Sequence, residues 1–354
     1  MIKNHNHYLD LAFHLAEQNL GQTKLNPSVG SVVVKNGSVI SSGVTSLNGR
    51  PHSEFNALNN LKNCSGASLY TTLEPCTHYG KTPPCVNIII KKKIKNVYYA
   101  FEDPDKRTFK NAKKILMQKG IKSKLIRSKK YKKFYKSYFI NQKLSLPLVS
   151  AKIAISDDYL TINKKNKWIT NENSRNIVHL LRSRYDCILS TSKSINYDDS
   201  LLNCRINGLN NNKPDLFIVD LKLKLKKKLT LNNYLKNRKT YLITNIKNAS
   251  KTQSYKKLGY NVLLVNKLEN RNDFNLLYKK IYKMGYSRVL IESGLTFLNN
   301  LIKNKMIHDL FIFKSNKKLG KNGKNNSTSK YLKNIFPKLL TINLDGDNLL
   351  KKEF

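Results

Sequence analysis

Three things are scarce in this chain of 354 residues: long apolar runs, cysteines and acids. No apolar run is long enough to span a bilayer. The opening MIKNHNHYLDLAFHLAEQNL mixes polar and acidic residues among its apolar ones. It reads as an amphipathic helix, not as the apolar core of a signal peptide, so a cytoplasmic location is expected. Five cysteines, odd in number and unevenly spaced, do not make a disulfide framework. In a reducing compartment, paired cysteines bind metal or do chemistry. Asp and Glu number 22 against 65 Lys and Arg, a net charge of +43. Such a charge collects polyanions. Here it is spread along the chain (IIIKKKIK, RSKKYKKFYK, LKLKLKKKL) and accompanied by abundant asparagine, which adds no charge for phosphate. It is read as compositional drift of an A- and T-rich coding sequence, with no nucleic-acid partner expected. A glycine-rich G-x-G-x-x-G turn after a strand is also missing, which excludes a standard Rossmann fingerprint. No internal repeat is visible.

What is present alternates between helix and strand. A helix is predicted over 8–20, with Leu11, Leu15 and Ala16 on one face and Gly21 beyond its end. NPSVGSVVVKNGSVISSGVT is two β-branched runs joined by Asn36-Gly37, a hairpin signal. PHSEFNALNNL reads as a helix with Phe55, Leu58 and Leu61 on one side. ASLYTTLEP, NVYYAFEDP and IKSKLI read as strands, and PPCVNIIIKKK and NAKKILMQKG as helices. Pro147, in LSLPLVSAKIAIS, marks a boundary, after which a second α/β pattern begins. The predicted domains are 1–146 and 147–354. In the second, SRNIVHLLRSR, FNLLYKKIYKMG and LTFLNNLIKN read as helices, and CILST, PDLFIVD, TYLITN, NVLLV, SRVLIES and DLFIFKS as strands. GKNGKNNSTSK, at 320–330, reads as a mobile loop.

The chemistry-bearing motif lies in the first half. PHSE places His52 two positions before Glu54, and TLEPCTHYGKTPPC places Cys76 and Cys85 each after a proline. A catalytic zinc keeps three protein ligands and one open position, where a water becomes nucleophilic near neutral pH. His52, Cys76 and Cys85 are ligands of the types zinc prefers. Cys85 opens a predicted helix, where free N–H groups favour a thiolate. Glu54 can reach the open side without ligating and carry the proton to a leaving amine. H-x-E followed by P-C and a second Cys is the signature of zinc-dependent deaminases. Taken singly, His-x-Glu or a pair of cysteines means little; their order and contexts together carry the reading. Cys64, Cys187 and Cys204 have no such neighbours and read as packing residues. His5, His7 and His14 read as solvated or helix-face histidines.

Most deaminases of this kind have P-C-x-x-C, whereas eight residues separate the cysteines here. With NPSVG (Asn26 to Gly30), PHSE and TLEPCTHYGKTPPC, the chain resembles the bifunctional riboflavin-biosynthesis deaminase-reductases along essentially its whole length. The resemblance implies a cytidine-deaminase-like zinc domain followed by an NADPH-dependent, dihydrofolate-reductase-like domain, α/β throughout. The implied first reaction is deamination of a 2,5-diamino-6-ribosylamino-pyrimidinone 5′-phosphate. The second is reduction of its ribosyl group to ribityl. By the same resemblance, Asn26, His78 and Lys81 hold the deaminase substrate. Ala154, Trp168, Ser194, Asp198 and Gly294 line NADPH, and Asn166, Arg182, Leu202, Arg205 and Glu292 bind the reductase substrate. Lys152 and Thr170 also match the family's pattern. A homodimer through the reductase domain is implied.

The second half departs from that pattern. The family's S-L-D-G and following basic residue is here Ser156-Asp157-Asp158-Tyr159-Leu160, and its proline after the paired acids is Ser200. A deaminase with a decayed reductase domain is therefore one alternative. Others are a tRNA-adenosine deaminase, which the charge favours and the cysteine spacing opposes, and a zinc-stabilised RNA-binding protein. Glu54 argues against the last, since a structural zinc is closed by four ligands and needs no base.

Overall fold

The computed structural model describes residues 5–128, 130–209, 214–335 and 341–354. They form two compact units, Met1–Ser145 and Leu146–Phe354, described here separately.

The first unit begins with α1 (His5–Gln18) and a hairpin of β1 (Gly30–Lys35) and β2 (Ser38–Val44). Asn36 and Gly37 turn that hairpin with φ of 51° and 82°, the left-handed conformation a tight turn needs and these residues tolerate. There follow α2 (Ser53–Leu58), β3 (Ser68–Thr71), α3 (Cys85–Lys91), β4 (Asn96–Tyr99), α4 (Asn111–Gln118), β5 (Lys122–Leu125) and α5 (Lys136–Leu144). The five strands form one sheet in the order β2-β1-β3-β4-β5, parallel from β3 to β5. One core holds Leu58, Leu69, Val86, Ile89 and Val97; another, under α1, holds Leu9, Phe13, Tyr131 and Tyr135.

Two details differ from expectation. The buried face of α1 is Leu9, Ala12, Phe13 and Ala16, with Leu11 and Leu15 at its margin. In α2 the inward residues are Ser53, Glu54, Ala57 and Leu58, and Phe55 is 41% exposed. The helix turns its polar first turn inward, which an apolar count does not anticipate. Helix α5 and the turns before it were not expected. Lys130, Lys132, Lys133 and Lys143 are exposed, while Tyr131 stacks on Phe13 at 3.8 Å between ring centroids.

The second unit carries β6 (Leu148–Ile155), β7 (Ile162–Asn163), α6 (Glu172–Ser183), β8 (Cys187–Thr191), α7 (Ser192–Asp198), β9 (Asp215–Val219) and β10 (Thr240–Asn245). After them come α8 (Gln253–Leu258), β11 (Asn261–Val265), α9 (Arg271–Lys283), β12 (Arg288–Glu292), α10 (Leu295–Lys303) and β13 (Asp309–Lys314). The last elements are β14 (Gly323–Lys324), α11 (Lys330–Ile335), β15 (Ile342–Leu344) and β16 (Asp347–Glu353). Nine strands form a sheet ordered β11-β10-β9-β8-β12-β6-β13-β16-β15. Its pairings are parallel from β11 through β13 and antiparallel at β16 and β15. Parallel strands buried on both faces read as continuous apolar runs, which is why β8, β9 and β12 were legible. The segment 320–330 is not a plain loop. Gly323-Lys324 pairs with Ile162-Asn163, and Asn325 Oδ1 accepts from the N–H and hydroxyl of Thr161.

The strand order places the carboxyl ends of β6, β8 and β12 side by side. In open parallel sheets, ligands bind in the crevice outside those ends.

Candidate active sites

In the first unit, α2 and α3 deliver the zinc-type side chains. His52 precedes α2 in extended backbone, Glu54 lies in its first turn, and Cys85 is the first residue of α3. Cys76 lies on the segment after β3. His52 Nδ1 is 3.6 Å from Cys76 Sγ and 3.4 Å from Cys85 Sγ, and the three ligand atoms lie within 4.8 Å of one another. The Cys85 N–H donates to Cys76 Sγ at 3.2 Å. Glu54 Oε2 is 3.5 Å from Cys85 Sγ and accepts from the Ser53 hydroxyl. Hydrogen bonds from Cys85 and His52 outweigh burial and hold the Cys76 thiol down at about 4. The paired Cys76 and then burial push the Cys85 thiol up, and burial pushes the Glu54 carboxyl up. Two thiols and a carboxyl crowded in a buried place are poorly matched without a cation. The donor set therefore fits a zinc ion, whose binding drives both thiols to thiolates.

The other deaminase candidates lie on the surrounding loops. The Asn26 side chain donates to the Gly49 carbonyl at 3.1 Å, just upstream of His52. His78 Nδ1 meets the Thr108 hydroxyl at 3.1 Å, and Lys81 is exposed on the same inserted loop. Sequence reasoning missed what supports that loop. Arg50 donates to the Thr82 hydroxyl. Glu74, buried, accepts from the N–H groups of Asp103, Lys110 and Ala112 and so ties the Pro75-Cys76 turn to the 103–112 loop. Thr108 is fully buried between them. Cys64, Cys187 and Cys204 are buried packing residues, as expected. His5, by contrast, hydrogen-bonds the Tyr70 hydroxyl at 3.0 Å and lies 4.2 Å from the Tyr98 ring.

In the second unit, charged groups gather at the sheet's carboxyl edge. Arg182 of α6 grips Glu292 at the end of β12 through Nε–Oε1 at 2.6 Å and Nη2–Oε2 at 3.0 Å. Lys152 Nζ of β6 is 3.8 Å from Glu292 Oε2. Burial alone would raise the Glu292 carboxyl; Arg182 and Lys152 reverse this and hold it at about 2. The Ser194 hydroxyl of α7 accepts the Gly294 N–H at 3.1 Å, joining α7 to the start of α10. Ala154 is half-buried on β6, and Asp198, at the end of α7, feels the charges of Lys167 and Lys152. Ser194 and Gly294 thus meet beside the ends of β8 and β12, at the first turn of α10.

Trp168 is 53% exposed, so it is not a core residue. Arg175 and Lys167 lie over its ring at 5.0 and 5.5 Å. Leu202 is buried with φ of 50°, in the loop that carries Arg205. Asn166 is exposed and its backbone N–H donates to Asn163. Among the described residues its side chain makes no hydrogen bond to the Arg182–Glu292 group. The departure at Tyr159 is visible: it holds φ of 63°, a conformation glycine adopts more readily. Asp158 is kept busy, accepting from the Ser156 hydroxyl and the N–H groups of Leu319 and Gly320. Two further features escaped the sequence reading. One is His179, at the junction of Arg182 and Arg205. The other is a cavity of about 480 Å3 beside α7 and the end of β9, lined by Lys193, Lys222, Lys224, Lys226 and Tyr197.

The two units define a zinc-dependent deaminase followed in one chain by a dihydrofolate-reductase-like reductase. The cytidine and deoxycytidylate deaminase zinc-binding region matches residues 2–101, and the RibD C-terminal domain matches residues 147–345. Riboflavin biosynthesis protein RibD of Buchnera aphidicola is 32% identical over 326 residues, covering 88% of this chain and 87% of its own. That of Aquifex aeolicus is 30% identical over 317 residues, covering 88% and 87%. The chain belongs to the RibD family of riboflavin biosynthesis, bifunctional enzymes with a zinc deaminase domain and an NADPH-using reductase domain. Among solved structures, Acinetobacter baumannii RibD is similar with a TM-score of 0.83 at 25% identity, covering 99% of this chain and 98% of that one. A diaminohydroxyphosphoribosylaminopyrimidine deaminase/5-amino-6-(5-phosphoribosylamino)uracil reductase from Thermotoga maritima has a TM-score of 0.82 at 26% identity, with coverage of 99% and 98%. Among the described residues, no helix is long and apolar enough to cross a membrane.

Proposed function

We propose that residues 1–146 deaminate 2,5-diamino-6-(5-phosphoribosylamino)pyrimidin-4(3H)-one and that residues 147–354 reduce the product's ribosyl group to ribityl. The observation that carries the deaminase assignment is the convergence of His52, Cys76 and Cys85 with Glu54 beside them. His52, Cys76 and Cys85 hold zinc, which when bound supplies a water made nucleophilic near neutral pH. Glu54 takes a proton from the nucleophile and delivers it to the departing amine. Its carboxyl is buried, 3.5 Å from Cys85 Sγ, the placement that a proton carrier beside the metal needs. Asn26, His78 and Lys81 position the substrate, with the exposed lysine on the inserted loop as a cation for its phosphate.

In the reductase half, bound NADPH would supply the hydride that reduces the nitrogen-bearing C1′ of the ribosyl group. Ala154, Trp168, Ser194, Asp198 and Gly294 line it, and the lysine-lined cavity beside α7 takes its phosphate-bearing adenosine end. Arg182, Leu202, Arg205 and Glu292 bind the pyrimidine nucleotide, with Asn166 closing from the exposed loop. The intact bidentate Arg182–Glu292 pair, with Lys152 beside it, supports a working reductase over a decayed one. The enzyme acts in the cytoplasm as a homodimer. Separate assays of ammonia release and NADPH oxidation on single-site variants test the assignment. Loss of both activities from Glu54→Ala alone would oppose it.

A further inference from the structure

His179 sits one turn before Arg182 on α6, so the two share a face. Its Nδ1 lies 3.1 Å from the Asn203 carbonyl and also faces two N–H donors, the Arg205 backbone N–H at 3.2 Å and Arg182 Nη1 at 3.5 Å. The same Arg182 Nη1 donates to the Asn203 carbonyl at 3.0 Å, and Arg205 Nη1 donates to Asn203 Oδ1 at 2.7 Å. The Asn203 carbonyl is already served by Arg182, whereas among the described residues the Arg205 N–H has the ring nitrogen as its acceptor, and the ring can satisfy it only with a lone pair. That places the proton on Nε2 and leaves the ring neutral. A protonated ring would add a further cation to Arg182 of α6, Arg205 of the loop and Lys152 of β6, against one carboxylate, Glu292 of β12. Burial and the two arginines accordingly hold the imidazole down at about 4.

The rest of the loop 199–205 is held by other residues, beginning with Thr230, which donates to Asp199. Arg238 donates to the carbonyls of Leu201 and Leu202. The anchors divide the work. Arg238 holds the body of the loop, and His179 holds its Arg205 end against Arg182.

We infer that His179 is a positioning residue of the reductase: as a neutral acceptor it sets Arg205 beside Arg182, so that both cations meet the anionic nucleotide together. It touches neither substrate nor cofactor in this role. The inference rests on the reading of Arg182 and Arg205 as substrate-binding residues.

The test is steady-state reduction of the deaminated pyrimidine nucleotide by the zinc-loaded full chain, for His179→Leu, His179→Gln and Arg205→Ala. His179→Leu removes the acceptor and is expected to raise KM for the nucleotide about tenfold, the scale of one hydrogen bond serving a charged group. Its kcat, its KM for NADPH and ammonia release stay near those of the parent. His179→Gln, whose side-chain oxygen can accept the same N–H, recovers most of the loss. If Arg205→Ala raises KM and His179→Leu does not, the inference fails while the substrate-binding reading stands. If Arg205→Ala leaves KM unchanged, that reading fails and the inference with it. A fall in kcat with a lowered Tm, not repaired by glutamine, makes His179 a structural residue and also overturns the inference.

Discussion

Arg182 and Glu292, 110 positions apart, meet through two parallel N–H···O bonds of 2.6 and 3.0 Å, with only 9% and 7% of their surfaces exposed. Removing one partner of such a buried pair strands the other's charge, at a cost of roughly 3–5 kcal/mol. Glu292→Ala is expected to lower the reductase domain's stability on that scale and to abolish NADPH oxidation. Ammonia release should persist. Differential scanning calorimetry read beside both assays checks this; an unchanged melting profile would mean that the pair is not formed in solution.

Glu54→Gln keeps shape and hydrogen bonding but removes the proton carrier. Ammonia release is expected to fall by at least about a hundredfold, the usual contribution of a positioned acid–base group. Zinc content, by metal analysis, should stay at the parent's level, and reduction of the already deaminated nucleotide should be unaffected. Full deaminase activity in this variant would remove Glu54 from the mechanism.

Cys85→Ser removes a thiolate ligand from a site that has three. Zinc content and ammonia release should fall together, with the thermal transition of residues 1–146 lowered, since metal binding is linked to folding. A chelator should have the same effect on the parent, reversed by added zinc. NADPH oxidation with the deaminated nucleotide should survive both treatments. A variant that keeps full zinc and full activity would show that Cys85 is not a ligand.

Asp103 links acidity to stability in the deaminase half. Burial raises its carboxyl from 3.8 to about 7, against hydrogen bonds from the Asp105 N–H and the Tyr138 hydroxyl. Below pH about 4 it is neutral in folded and unfolded chains alike. Between about 4 and 7 the folded chain holds the proton that the unfolded chain has released, so its contribution to stability falls as pH rises through that window. Asp103→Asn cannot ionise. Its Tm relative to the parent should rise between pH 4 and pH 8, measured on zinc-loaded protein. A difference that is flat with pH would show that Asp103 titrates normally.

How much of this was legible in the sequence depends on how local each signal is. His52 with Glu54, and Cys76 with Cys85, are two short motifs whose residue types belong to one chemistry, so the site could be named before its geometry was seen. Asn36-Gly37 specified its own turn. Strands β8, β9 and β12 stood out because burial on both faces makes them continuously apolar. Helix α5 did not, because its lysines hid the aromatic face that Tyr135 and Tyr138 bury. Strand β14 and the Asn325 contacts were illegible for another reason: they depend on pairing with residues about 160 positions earlier. His179 is the same case at the site itself. A lone histidine on a helix carries no signal until the fold brings Arg205 to it.

The central claim is that one chain performs two chemistries in sequence. The most direct measurement gives zinc-loaded protein the diaminopyrimidine ribosyl phosphate together with NADPH, and follows ammonia and NADPH in the same cuvette. The account predicts that ammonia appears first and that NADPH is then consumed in equal amount. Ammonia without NADPH loss, from folded protein also supplied with the deaminated nucleotide, would contradict it.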